Sequence, residues 1–235
     1  VDGATIFRTV VSSTLRSPVD DHIIGQRALF PATAYLEMAR AANCAFTPSS
    51  VGVLRDVIFM QPFVVGASGL HADFRAVNGH FEVASGELST ALSPASSTTH
   101  CTGSLAHQDI TEWQHVNYIS IRGQLSDRCV DVISYYEAMH SNSAAFGPGY
   151  RRLTQVWCGT LTCLGQLCLR TRRQGTIVHP ADLDAGVSMK PVLWSNSIGL
   201  PFLVANALVQ DASHKLAWAV SASLIPINAH APMLP

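Results

Sequence analysis

The sequence predicts an α+β chain made of two units, each a helix wrapped by an antiparallel sheet. Three observations predict it. An alanine-rich stretch follows Pro31, long β-branched and aromatic runs with turn residues follow that stretch, and the second half repeats the same order of helix and strands. The order of elements alone carries the duplication, since the halves share no strict sequence repeat.

In the first half, "TIFRTVVS" (Thr5–Ser12) has strand character. Pro31 suits the first turn of a helix running to about Asn43. Ala32, Ala34, Ala39, Ala41 and Ala42 leave that helix few bulky side chains, so a sheet can wrap it closely. "VGVLRDVIFMQPFVV", "LHADFRAVNGHFEVASGEL" and "THCTGSLA" read as strands, with Asn78-Gly79 a hairpin turn. A polar stretch near His107–Gln114 reads as the connection between halves. In the second half a helix from about Val130 to Met139 precedes "FGPGYRRLTQVWCGTLTCLGQLCLRT", a turn and long strands. Pro180 opens a short helix, and "GLPFLVANALVQDASHKLAWAVSASLIPI" reads as a closing strand pair. The expected boundaries are an N-terminal unit over 1–108, a linker over 109–128 and a C-terminal unit over 129–235.

The 235 residues suffice for one large domain or two small fused ones, and 48% apolar against 13% charged residues puts much of the chain inside. A net charge of −1 and the lack of a basic stripe argue against nucleic acid. No apolar run reaches the roughly 18 residues of a membrane span, and no signal pattern opens the chain. The reading is a soluble cytoplasmic domain taken from something longer, since Val1 is not a start methionine. Cys158, Cys163 and Cys168 are five apart, so in one strand successive side chains would alternate faces. That spacing and the lack of a CxxC pair predict no metal site, and buried free thiols instead.

The segment "DHIIGQRALFPATAYLEMARAA" carries a histidine nine residues ahead of a helix-opening proline. His22 to Pro31 has the spacing of the HxxxGxxxxP motif of dehydratase domains in modular polyketide synthases and animal-type fatty acid synthases, and the chain resembles that family. "FGPGYRR" (Phe146–Arg152) is similar to its YGPxFQ motif, "HPADLDAGVS" (His179–Ser188) to its HPxxLDxxxQ/H motif, and "HCTG" (His100–Gly103) to its HxxG strand. The echoes run in order through most of the chain. The resemblance implies a double hotdog fold and a catalytic pair drawn one from each unit, His22 and Asp184. It also implies an acyl carrier protein partner bearing the substrate on its phosphopantetheine arm, with no other cofactor and no metal. Neighbouring synthase domains are further partners, with homodimerisation an open alternative. Three departures stand out: Gln26 at the motif's glycine with Gly25 one place early, Phe146 for tyrosine, and Ser188 for glutamine or histidine.

The chemistry fits those residue types. Dehydrating a β-hydroxyacyl thioester removes an α-proton, suited to a histidine base, and expels hydroxide as water, which needs a protonated acid. A carboxyl in an apolar site has its pKa raised by desolvation, which suits Asp184 among Leu183, Ala185, Gly186 and Val187. Pro31, Phe146, Gly147, Pro148 and Ser188 are the expected substrate-binding positions, with "FGPG" shaping a wall. Backbone N–H groups at a helix start or that glycine-rich turn are candidates to polarise the thioester carbonyl. His179 reads as a positioning residue before a helix proline, and Tyr150 and Trp157 as core. Arg151, Arg152, Arg170, Arg172 and Arg173 are candidates to steer an acidic carrier. The same pair could instead shift a double bond or assist oxa-Michael ring closure, and an inert dehydratase-like module is the non-enzymatic alternative.

Overall fold

A computed structural model describes residues 4–46, 51–66, 69–88, 97–106, 116–126, 129–189, 200–210 and 218–222. The expected connection at 107–114 lies outside them. The first half lays down β1 (Thr5–Val10), a single turn of helix α1 (Ser13–Arg16), a tight hairpin of β2 (Ile23–Ile24) and β3 (Arg27–Ala28), and helix α2 (Ala32–Phe46). Strands β4 (Val51–Phe59), β5 (Leu70–Val77), β6 (His80–Glu87) and β7 (Thr98–Ala106) follow. Asn78 and Gly79 both take positive φ, 49° and 77°, the turn expected between β5 and β6.

The second half holds α3 (Tyr118–Gln124), β8 (Cys129–Val130), α4 (Val132–Ser141), β9 (Leu153–Cys158), β10 (Thr162–Leu167), α5 (Pro180–Ser188), β11 (Leu203–Gln210) and β12 (Trp218–Ala222). α4 starts two residues later than the sequence suggests because Asp131 caps it, its carboxylate accepting from Ser134 N–H at 2.7 Å. β9 and β10 have six residues each, shorter than expected.

The strands form a six-stranded antiparallel sheet, β1-β5-β6-β7-β4-β11, and a four-stranded one, β12-β10-β9-β8. The expected closing strand pair is corrected here. β11 pairs with β4 and β12 with β10, so the two lie in different sheets. The first half therefore borrows a strand from the second, which covers the backbone groups that β4 would otherwise leave at an edge. α2 lies on the larger sheet, burying Ala34, Tyr35, Ala39 and Ala42 against Leu54, Val57, Phe74 and Cys101. α5 lies on β10 and β12 and also touches α2, where the Thr33 hydroxyl donates to Pro180 O at 3.0 Å. The two helix starts thus meet at the seam between the sheets.

The free-thiol expectation is also corrected. Cys158 and Cys163 sit opposite each other across the β9–β10 hairpin, Cα–Cα 4.2 Å, and are disulfide-bonded. A five-residue spacing means alternate faces only within one strand; the turn at 159–161 folds it back on itself. Cys168 is free and exposed. Among the described residues no helix is long and apolar enough to cross a membrane.

Gly25 and Gln26 make the turn between β2 and β3, at φ 55° and 64°. Glycine accepts that region freely, while a side chain at left-handed φ costs roughly 1–2 kcal/mol. Gln26 is exposed, so nothing evident offsets the strain. Gln26→Gly should stabilise the fold by about 1 kcal/mol, seen as a melting temperature raised by about 2–4 °C for a chain of this size. An unchanged or lowered melting temperature would contradict the strain.

Candidate active site

The β2–β3 hairpin places His22 by returning the chain to it. Leu29 N–H donates to His22 O at 3.0 Å, and His22 Nδ1 lies 2.8 Å from Leu29 O. A carbonyl oxygen only accepts, so Nδ1 carries the proton and Nε2 keeps its lone pair. Phe30 N–H then bonds Phe63 O, and the chain enters α2 at Ala32. The histidine therefore precedes a buried helix because that entry fixes its ring and tautomer.

Asp184 comes from α5. His179 caps this helix, its Nδ1 accepting from Ala181 N–H at 3.2 Å, while its Nε2 meets Gln174 at 2.7 Å. That agrees with a positioning role for His179. Asp184 Oδ1 lies 3.9 Å from His22 Nε2. Both side chains are nearly buried, at 13% and 8% exposure. Desolvation lowers the His22 pKa to about 4, against a smaller opposing effect of the Leu29 bond, and burial pushes Asp184 up to about 7. At 3.9 Å they do not hydrogen-bond, so each keeps its reactive atom free for a third group.

Both face a cavity of about 220 Å³ whose apolar wall includes Leu29, Phe30, Pro31, Phe59, Pro62 and Phe202. Of the expected substrate-binding positions, Pro31 is on this wall. Phe146, Gly147, Pro148 and Ser188 are not among the lining residues. Phe146 instead lies behind the imidazole, rings 5.4 Å apart and stacked at 25°. Tyr150, buried as expected, meets the same ring at 5.2 Å and donates its hydroxyl to Pro18 O. Ser188 Oγ turns back on Ala185 O, while its carbonyl accepts from Tyr135 Oη.

The FGPG amides are committed elsewhere. Gly147 N–H donates to Asp21 O at 2.8 Å and Gly149 N–H to the Asp21 carboxylate at 2.6 Å. These two are not available to polarise a thioester, because the main-chain oxygen and the carboxylate of Asp21 hold them. Sequence reasoning missed Asp21, although its place directly before His22 was a visible signal. It missed Tyr35 as well, whose ring borders the cavity and whose buried hydroxyl has no hydrogen-bond partner among the described residues.

The arginines divide differently from expectation. Arg152 and Arg170 turn inward onto Asp182, at 2.7 and 3.1 Å, and Arg151 bonds Phe146 O with its guanidinium near the Tyr136 ring. These three are structural contacts, leaving Arg172 exposed. A second, larger cavity of about 460 Å³ lies beside Asp21, Tyr150, Arg170 and Arg172, but neither His22 nor Asp184 lines it. Chemistry, not size, identifies the smaller cavity as the candidate site.

The family model for the polyketide synthase dehydratase domain matches residues 1–85. Polyketide synthase PksM of Bacillus subtilis is 25% identical over 182 residues, 71% of this chain and 4% of its own length. Erythronolide synthase EryA2 of Saccharopolyspora erythraea is 22% identical over 197 residues, 78% of this chain and 5% of its own. The chain thus spans only a small part of the curated relatives it matches. In fold, the dehydratase domain from the CurJ module of curacin polyketide synthase superposes with a TM-score of 0.80 at 19% identity, covering 94% of this chain and 79% of that one. The CurF dehydratase domain gives 0.78 at 19% identity, over 95% and 84%. The two helix-in-sheet units are accordingly the halves of a double hotdog, and the chain is similar to polyketide synthase dehydratase domains in its first-half family match, its synthase relatives and its fold.

Proposed function

We propose that the chain removes water from a β-hydroxyacyl thioester borne on the phosphopantetheine arm of an acyl carrier protein, with His22 as base and Asp184 as acid. One observation carries this reading: a neutral imidazole with its Nε2 lone pair free lies 3.9 Å from a carboxyl kept protonated by burial, both facing one apolar cavity. A base and an acid side by side suit groups leaving from neighbouring carbons. Nε2 takes the α-proton, the α-carbon's electron pair forms the double bond, and the C–O bond breaks as Asp184 gives its proton to the leaving hydroxyl. Water departs, leaving an imidazolium beside a carboxylate, and proton return between them resets the site. The Ala32 N–H, at the start of α2 and on the cavity wall, is the donor for the thioester carbonyl. Two of the similar solved structures are described as inactive mutants of the CurK dehydratase, one Asp-to-Asn and one His-to-Phe, the residue types paired here. The synthase relatives support a place beside other domains of a larger assembly.

Incubation with a 3-hydroxyacyl thioester should give a product lighter by one water. A double-bond shift would leave the mass unchanged, and an inert module would leave the substrate intact; either result sinks the reading. His22→Ala should lower the rate by roughly 10²–10⁴-fold while the fold persists. A variant retaining more than about a tenth of the wild-type rate would remove His22 as base.

The pH profile follows from the same pair. The productive form has His22 neutral, above about 4, and Asp184 protonated, below about 7. The kcat/KM profile should be a bell with limbs near those values, belonging to the pair as a whole. A rate still climbing at pH 9 would exclude a carboxylic acid donor.

Asp184→Asn should stop water loss and also leave a signature in stability. A carboxyl whose folded pKa exceeds its unfolded one opposes folding increasingly as pH rises from the unfolded value toward 7. Removing it should therefore raise the melting temperature more at pH 8 than at pH 4. Equal shifts at both pH values would contradict the raised pKa.

A further inference from the structure

We propose that Asp21 is a positioning residue for His22, locking the imidazole to the second half of the chain through a frame that runs Asp21–Gly149–Arg170–Asp182. The inference rests on reading His22 as the base. Asp21 does not line the cavity that holds His22 and Asp184; it borders the larger one behind them. Its main-chain oxygen accepts from Gly147 N–H at 2.8 Å and its carboxylate from Gly149 N–H at 2.6 Å. A Cβ on Gly147 would collide with that carboxylate, and one on Gly149 would come within 2.7 Å of Oδ2. The two glycines of "FGPG" are therefore the space into which Asp21 fits.

The frame continues past the turn. Gly149 O accepts from Arg170 Nη2 at 3.1 Å, and the same guanidinium holds Asp182 on α5, two residues from Asp184. A chain of polar contacts thus joins the residue before the base to the helix that carries the acid. Between its ends, the turn 146–150 presses Phe146 and Tyr150 against the imidazole at 5.4 and 5.2 Å. Without the carboxylate, the turn loses one of the contacts that hold those rings in place. A misplacement on the scale of 1 Å can cost about 10²-fold in rate.

The test compares Asp21→Ala, Asp21→Asn and Gly149→Ala in the intact chain, reading kcat, KM and the His22 imidazole signals by NMR. Phe146 stacked on the ring shifts those signals by its ring current, a readout that general loss of stability in a folded variant would not move. Asp21→Ala should lower kcat by about 10–100-fold with KM within about twofold, and should abolish the ring shift. Asp21→Asn keeps an oxygen for Gly149 N–H and should return kcat to within about threefold of wild type, with the shift retained. Gly149→Ala should reproduce the Asp21→Ala losses. The proposal is overturned if Asp21→Ala folds with wild-type kcat and ring shift, or if Asp21→Asn loses as much as Ala. Should Asp21→Ala not fold, Gly149→Ala decides: loss of kcat and ring shift at unchanged KM supports the frame, and wild-type values overturn it. A wild-type chain with no dehydratase turnover would sink the catalytic reading alone, since the ring shifts still decide whether Asp21 positions His22.

Discussion

His22 and Asp184 belong to different halves, yet the proposed reaction requires their reactive atoms to lie within a few ångströms of one substrate. Two packed sheets do not ensure this, since sheet faces tolerate small slides. The constraint is met by bonds between the segment around His22 and the segment following α4. Gly25 N–H reaches Ser143 O at 2.8 Å, Ile24 bridges to Ala144, Asp21 takes two amides of the 147–149 turn, and Tyr150 Oη reaches Pro18 O. Each bond contributes a net ~1 kcal/mol, so none is large alone. Most of them join backbone to backbone, where few side-chain rotations remain to blur the geometry.

Given that placement, a single physical cause tunes both His22 and Asp184. Burial disfavours the charged form of any group, and the charged forms of histidine and aspartate lie on opposite sides of their titrations. The same dry seam therefore pushes His22 down and Asp184 up, leaving both neutral between about 4 and 7. A closer contact would have favoured an ion pair, with the proton on the histidine and nothing left for a leaving hydroxyl. The 3.9 Å separation, with Nδ1 already occupied by Leu29 O, suits the protonation state that the proposed dehydration needs.

Much of this was legible because it is local. The nine-residue spacing from His22 to Pro31 sets a histidine, a two-strand hairpin and a helix start, and the alanines of α2 mark a helix that a sheet can wrap. The unread parts depend on contacts between distant segments. β11 and β12 look alike in sequence, and only the open edge beside β4 sends one of them to the other sheet. Cys158 and Cys163 meet because a turn separates them. "FGPG" reads as a substrate wall until Asp21 is seen to fill its glycines. Arg152 and Arg170 look like surface charges because their shared partner, Asp182, lies on a later helix.

That last cluster explains how Asp184, the proposed acid, is aimed. Two guanidiniums around one carboxylate, all largely buried, carry a desolvation cost that packing alone would not justify. The excess positive charge is shared with main-chain oxygens, Arg152 donating to Cys168 O and Arg170 to Gly149 O. Successive residues of an α-helix are about 100° apart, so residues two apart point about 200° from one another. Asp182 and Asp184 therefore occupy nearly opposite faces of α5. Holding Asp182 against Arg152 and Arg170 fixes the rotation of the helix about its axis, and that rotation turns Asp184 toward His22.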